Sequence, residues 1–379
     1  MRPLVEPHLK RLLPYVPGKP IGETEREYGV KNIAKLASNE NCLGASPMAG
    51  AAVRAALEKG HLYPDAGAVD LKQRLAREFN VDAAHVCIGA GSNEIITLLC
   101  RGLLGKDDVL LNAWPSFVVY RMGARFQGVP EHVVPLKADL TYDLEALAAA
   151  AIAEPRIKLV FLANPNNPTG TSFGAADLDA FFDRVPADVV VVLDEAYAEY
   201  VRRPDYQQGM KRALARPRTM VLRTFSKIYG LAAYRIGYGV GDLELIKLVD
   251  SLRDAFNVSA LAQVAALAAL DDHEHVARAR AHNDRELPRL HQGLEARGLV
   301  VTPSDGNFLL ATLPASSPFG ALTAATLNVE LLKRALIVRP VANYDLHQSL
   351  RITVGTADEN ARLLAALDDI SAAVAQGRL

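Results

Sequence analysis

The sequence predicts an α/β fold: a large domain on a mostly parallel seven-stranded sheet flanked by helices, followed by a smaller α+β domain. Three observations predict it. Seven short apolar runs lie between about residues 86 and 241, and their β-branched residues are nearly continuous, as strands covered on both faces require. Stretches of helical period separate them. From about residue 259 the pattern changes to long alanine- and leucine-rich helix, then to a looser mixture of short strands and helices.

In chain order the seven runs are "HVCIG" (85–89), "DVLLN" (108–112), "EHVVPL" (131–136), "IKLVFLA" (157–163), "DVVVVLD" (188–194), "TMVLRT" (219–224) and "YRIGYGVG" (234–241). "NEIITLLCRGLLG" and "DLDAFFDRV" are among the intervening helical patterns. Beyond 259, "SALAQVAALAALDDHEHVARARAHNDREL" reads as one long helix. "NFLLATL", "ALIVRP" and "SLRITVG" read as strands, and 357–375 as a closing helix. The predicted units are a segment 1–40 packing on the smaller domain, a large domain 41–258 and a small domain 259–379.

Length and composition exclude several functional classes. A chain of 379 residues suggests two or three domains, and half hydrophobic with 22% charged residues is ordinary for a soluble protein. The net charge of −1 offers no bulk attraction to nucleic acid or anionic membrane. Cys42, Cys87 and Cys100 lack CxxC spacing, and the latter two sit in apolar runs, so buried thiols are expected. His273 and His275 are two apart on a helix, on different faces, and read as surface residues rather than metal ligands. The proline-broken "MRPLVEPHLKRLLPYVPG" is no secretory signal, and no stretch reaches membrane-span length; the expected location is the cytoplasm.

Ligands of such sheets bind at the carboxyl ends of the strands, so the residues following each run are site candidates. After "HVCIG" come glycines, then Ser92 and Asn93 at a helix start, where free amides and the helix dipole favour a phosphate. "GAG" also mimics the opening of a dinucleotide fingerprint, but the third glycine is missing. After "IKLVFLA" comes "NPNNPTG", whose prolines would hold the amides of Asn164, Asn166 and Asn167 still. Asp194 ends the next strand, facing a site rather than bulk water, with Tyr197 three residues on. A carboxylate there needs a cationic partner to offset its desolvation.

Lys227 follows "TMVLRT" in "TFSK". Lysine's reference pKa is about 10.4, so an uncharged amine at neutral pH costs about 4 kcal/mol, which desolvation or a nearby cation can supply. Arg235 lies eight residues later and, with Thr224 and Ser226, could also bind a phosphate dianion. In "SLRITVG", Arg351 lies opposite the apolar stripe. With Arg339 of "LIVRP" it offers a fork for carboxylate or phosphate.

"NPNNPTG", "DEAY", "TFSK" and the arginine eight residues on, in that order, resemble the fold type I pyridoxal-phosphate aminotransferases. "KLASNENCLG", "YPDAG", "GSNEI", "SKIYGLAAYRIGYGVG" and "IVRPVANYDLHQSLRITVGT" are similar to the histidinol-phosphate aminotransferases over nearly the whole chain. This resemblance implies that Lys227 forms an imine with pyridoxal 5'-phosphate. Asp194 would hold the pyridine nitrogen protonated, and Asn167 and Tyr197 would hydrogen-bond the ring oxygen. Ser92, Asn93, Thr224, Ser226 and Arg235 would bind the phosphate. Phe117 would stack on the ring, where relatives often carry tyrosine. Tyr63 would reach the phosphate site of a second subunit in a homodimer. Tyr15, Asn39, Arg339 and Arg351 would line the substrate side, with Arg351 as anion anchor.

The resemblance further implies transamination between histidinol phosphate and 2-oxoglutarate, giving imidazole-acetol phosphate and glutamate, in histidine biosynthesis. Neither nucleic acid nor membrane is an expected partner. An aromatic amino-acid aminotransferase and a phospho-amino-acid decarboxylase are the alternatives on the same scaffold. Cys42, "AAYR" and Phe256 depart from the commoner pattern and would bear on side-chain preference rather than cofactor chemistry.

Overall fold

The computed structural model describes residues 4–12 and 18–379. Its strands are β1 (Ala34–Lys35), β2 (Val86–Gly89), β3 (Val109–Trp114), β4 (Glu131–Pro135), β5 (Ile157–Ala163), β6 (Val190–Asp194), β7 (Thr219–Thr224) and β8 (Gly237–Gly241). Then follow β9 (Val300–Thr302), β10 (Phe308–Thr312), β11 (Leu336–Ile337), β12 (Arg339–Pro340) and β13 (Ser349–Thr353). Seven of them form the main sheet in the order β2-β8-β7-β6-β5-β3-β4. Only β8 runs antiparallel, to both of its neighbours. All residues of β2, β6 and β7 are buried, as the continuous apolar runs anticipated.

The order of this sheet locates the site. After β3 the chain passes outward to β4, whereas after β5 it passes the other way to β6. The switch therefore falls between β3 and β5, where α/β sheets open a crevice at their carboxyl ends. Register brings the ends level: Ala163 of β5 lies beside Asp194 of β6, and Asp194 beside Leu222 of β7.

The second unit is antiparallel, in the order β12-β13-β10-β9, and β1 pairs in parallel with β11. Its core gathers Leu309, Leu350, Leu363 and Ile370 together with Ala34 and Leu36 from the N-terminal region. The division at 259 moves. The helix Ala260–Asp271 packs on the helix Pro47–Ala56, and Ala262, Ala265, Ala266 and Ala269 belong to the large core. Alanine's small side chain allows that close approach, so the change of core falls at the next helix.

Three further expectations change. The long helix is two, Ala260–Asp271 and His273–Glu295, broken at Asp272, whose ψ of 62° is not helical. Asp272 instead caps the second helix, accepting from His275 N at 3.1 Å, and also accepts from Ser46 Oγ at 2.6 Å and Met48 N at 3.3 Å. His275 is buried rather than on the surface, with Nε2 3.4 Å from Asn41 Nδ2. "ALIVRP" is divided between β11 and β12, in different sheets. Cys87 and Cys100 are buried and Cys42 half-buried; burial pushes all three thiols up to about 12. Among the described residues no helix is long and apolar enough to cross a membrane.

Asp272→Ala removes the cap of one helix and the tie to the start of another. It is expected to destabilise the chain by about 2 kcal/mol, read as a lowered denaturant midpoint with unchanged slope. A midpoint unmoved from wild type would show that water replaces those contacts at no cost.

Candidate active site

The loops leaving β2, β5, β6 and β7 enclose a cavity of about 270 Å³. A second cavity of about 190 Å³ adjoins it, and Ser38, Phe117, Asn167, Tyr197 and Lys227 line both. One end of the first cavity is made for an anion. Thr224, the last residue of β7, donates from Oγ1 to Ser226 Oγ at 3.0 Å and accepts from Ser226 N at 3.1 Å. Arg235 lies at the same end, with Nη1 3.0 Å from Ala232 O and 3.5 Å from Ser226 Oγ.

Gly91 starts the helix Ser92–Leu103 at φ +79°, and no side chain caps that terminus, so its first amides are left for another acceptor. A Cβ on Gly91 would stand 2.6 Å from Arg235 Nη2, so glycine alone lets the guanidinium lie against the helix start. Two hydroxyls, a guanidinium and a helix N-terminus thus converge, a combination suited to a phosphate dianion. Asn93 and Arg235 remain exposed in the single chain, so this end is open to solvent.

Asp194, 5% exposed, forms the floor. Its Oδ2 accepts from Tyr120 Oη at 2.7 Å and its Oδ1 from the Ala196 amide at 3.2 Å. Burial pushes this carboxyl above its ordinary range, against the pull of those two donors. A cation placed against it would relieve the desolvation.

Lys227 faces the junction of the two cavities. Its Nζ lies 3.3 Å from Ser38 O and 5.4 Å from the Tyr197 ring centre. Burial, and next the positive charge of Arg351, bring its ammonium down to about 7. Glu40 pulls the other way, and Arg235 adds to the lowering. The Tyr197 hydroxyl accepts from Asn39 Nδ2 at 2.9 Å, and burial raises its phenol above the usual value. Asn39 sits at φ +55°, its amide bonded to Thr353 Oγ1 of β13 at 2.9 Å.

Of the three loop asparagines only Asn167 lines the cavities; its Oδ1 accepts from Arg351 Nη1 at 2.6 Å. Asn164 and Asn166 turn their side chains into the loop. Asn164 exchanges bonds with the Phe173 backbone, and Asn166 Nδ2 donates to Pro115 O and Thr169 Oγ1. Arg351 is 8% exposed and also donates from Nη2 to Ala37 O at 2.7 Å, while its buried Nε has no partner among the described residues. Arg339 and Asn39 line the second cavity with it.

Phe117 forms a wall of both cavities at the start of the helix Val118–Gln127. Ser92, Asn93, Thr224, Ser226 and Arg235 line the first cavity with Asp194 and Lys227. Tyr63 is not brought there: it is 82% exposed and stacks on Phe256, ring centres 4.6 Å apart. Tyr15 lies outside the described residues.

Sequence reasoning missed Tyr120, although its i+3 spacing from Phe117 on one helix was a readable signal. It also missed the buried ion cluster beneath the site, in which Arg223 bonds Glu195 at 2.6 Å and Glu199 at 3.0 Å. The Ser38 carbonyl facing Lys227 has no sequence signature at all.

Residues 31–367 match the family described as Aminotransferase class I and II. The chain is 50% identical to the histidinol-phosphate aminotransferase of Anaeromyxobacter sp. (strain Fw109-5), over 97% of this chain and 99% of that one. It is 43% identical to histidinol-phosphate aminotransferase 2 of Pseudomonas aeruginosa, over 97% and 98% of the two. A crystal structure of histidinol-phosphate aminotransferase from Sinorhizobium meliloti in complex with pyridoxal-5'-phosphate superposes with a TM-score of 0.89 at 28% identity, covering 99% of each chain.

A lysine of lowered pKa is half neutral near pH 7 and more reactive above it. Acylation of the chain without added cofactor, followed by peptide mass spectrometry, is expected to give Lys227 a half-maximal rate near pH 7. Exposed lysines titrate near about 10.4. Arg351→Met should raise the Lys227 midpoint. A wild-type midpoint indistinguishable from the other lysines would refute the reading.

Proposed function

We propose, because the chain belongs to the class I and II aminotransferase family, that it transfers the amino group of histidinol phosphate to 2-oxoglutarate, with pyridoxal phosphate as cofactor. The products are imidazole-acetol phosphate and glutamate, and the setting is histidine biosynthesis. One observation carries the reading: the depressed amine of Lys227, the buried acid Asp194 and an anion cup all line a single cavity.

The residues fit the cofactor. The cup of Thr224, Ser226, Arg235 and the uncapped helix start takes its phosphate. Asp194 takes the protonated ring nitrogen, which supplies the cation that its burial calls for. Phe117 would form the wall beside the ring, and Asn167 and Tyr197 would hold its oxygen. When bound, the cofactor supplies an electron sink for the pair released from the substrate's Cα–H bond.

Everything else is the protein's work. Asp194, ionised against that cation, would keep the ring nitrogen charged. Lys227, with its amine free, would take the substrate's Cα proton on Nζ, hold it there and later release it. An amine near 7 can do both at neutral pH, because neither protonation state is scarce. Arg351, with Asn39 and Arg339 in the adjoining cavity, anchors the anion of each substrate: phosphate in the donor, carboxylate in the acceptor. That anchor would fix how the substrate's Cα bonds are oriented in the cavity.

The cup's open end and the exposed Tyr63 support a homodimer in which Tyr63 completes the neighbouring phosphate site. The enzyme is assigned to the cytoplasm.

Lys227→Ala is expected to lower kcat by at least ~10²–10⁴-fold while cofactor still binds, and to abolish its borohydride fixation to the chain. Arg351→Met should raise KM for both substrates by ~10- to 100-fold, the worth of a charged hydrogen bond. An effect on one substrate alone would require separate anchors. With 2-oxoglutarate as acceptor, histidinol phosphate should exceed phenylalanine in kcat/KM; the reverse order would make this an aromatic amino-acid aminotransferase.

A further inference from the structure

We infer that Tyr120 is a positioning residue for the ring-nitrogen acid: its hydroxyl fixes the Asp194 carboxylate in plane and in charge, and its ring backs the Phe117 wall. The inference rests on the pyridoxal-phosphate reading above and deepens it.

Tyr120 is fully buried, and its hydroxyl proton is given to Asp194 Oδ2 at 2.7 Å, a distance typical of a hydroxyl donating to a charged oxygen. The Ala196 amide holds the other oxygen. Each carboxylate oxygen thus has one fixed donor, and the plane of the group is set. The phenol cannot turn away. Its ring lies parallel to Phe161 of β5, centres 4.5 Å apart at 3°, and meets Phe117 edge-on at 5.6 Å and 85°.

Phe117 and Tyr120 come from the start of the same helix, three residues apart. That helix start therefore delivers both the wall against the ring and the support of the acid. Phe117 has no hydroxyl with which to orient itself, so Tyr120's edge contact fixes its tilt.

Charge gives the hydroxyl its function. Asp194 sits among Glu195 next in the chain, Lys227 after β7, Tyr142 and Tyr197. Burial and Glu195 both drive its proton affinity up, and an acid that kept its proton could not hold a cationic nitrogen. Tyr120 opposes this. Burial raises the phenol itself well above its ordinary value, so it remains a donor throughout the working range.

The test uses the holoenzyme with Tyr120→Phe, Asp194→Asn and the double variant. Three quantities are followed: cofactor dissociation, the pH midpoint of the bound cofactor's visible absorption, and kcat against KM. Tyr120→Phe should weaken cofactor retention and lower kcat by ~10-fold each, the worth of one hydrogen bond to a charged group, with donor KM little changed. The absorption midpoint should rise, because a less cationic ring nitrogen makes the bond to Lys227 easier to protonate. In the Asp194→Asn background the same change should add almost nothing.

Difluorotyrosine at position 120 keeps the shape but strengthens the donor. It should move the midpoint the opposite way, and it serves if the phenylalanine variant folds poorly. An unmoved midpoint in both variants, or effects that multiply equally in both backgrounds, would overturn the assignment. Wild-type protein that takes up no cofactor would instead overturn the reading on which it rests.

Discussion

An amine and a carboxylate lining one buried cavity would ordinarily form an ion pair, leaving the amine charged and useless as a base. Here each is given a different partner. Lys227 faces the Ser38 carbonyl, while Asp194 is held by Tyr120 and the Ala196 amide. Burial, with the positive charge of Arg351 and Arg235, pushes the amine toward neutrality, whereas at the acid the two donors oppose a burial that raises its proton affinity. The chemistry of the site depends on this separation, because only then does one buried group remain a base while the other remains an anion.

The sheet makes the separation rigid. Asp194 and Thr224 end β6 and β7, and in a strand the adjacent residue points to the other face. On that other face Arg223 forks onto Glu195 and also reaches Glu199. A buried ion pair adds little net stability, but breaking it on one side leaves an uncompensated charge. It therefore ties the strand ends that carry the acid and the anion cup to one relative position. Neither can shift without exposing the pair beneath.

The legible part of this molecule was whatever depends on short-range sequence. Continuous β-branched runs gave the seven strands, and residues at their carboxyl ends or just beyond, Ser92, Asn167, Asp194 and Lys227, line one cavity. What depended on long-range contact was illegible. The break at Asp272 arises because its carboxylate has partners 226 residues away in the chain, at Ser46, that a periodicity pattern cannot register. His275 looked like a surface residue because helical spacing says which faces differ, not which face another segment covers. The alanine-rich helix beginning at 260 likewise could belong to either core until its packing against Pro47–Ala56 was known. Tyr120 lay between these cases: its helix face was readable, but its acceptor lies 74 residues on.

Arg351 joins the two cores. It stands on β13 of the smaller sheet, yet its donors go to Asn167 in the loop after β5 and to the Ala37 carbonyl after β1. An anion arriving in the second cavity meets a guanidinium whose buried Nε has no acceptor among the described residues, and whose Nη1 is lent to Asn167, which lines both cavities. Binding at Arg351 and the seating of Asn167 consequently draw on the same donor. By linkage, whatever strengthens one alters the other by an equal free energy, so a charge arriving in the second cavity is felt at the wall of the first through a single side chain.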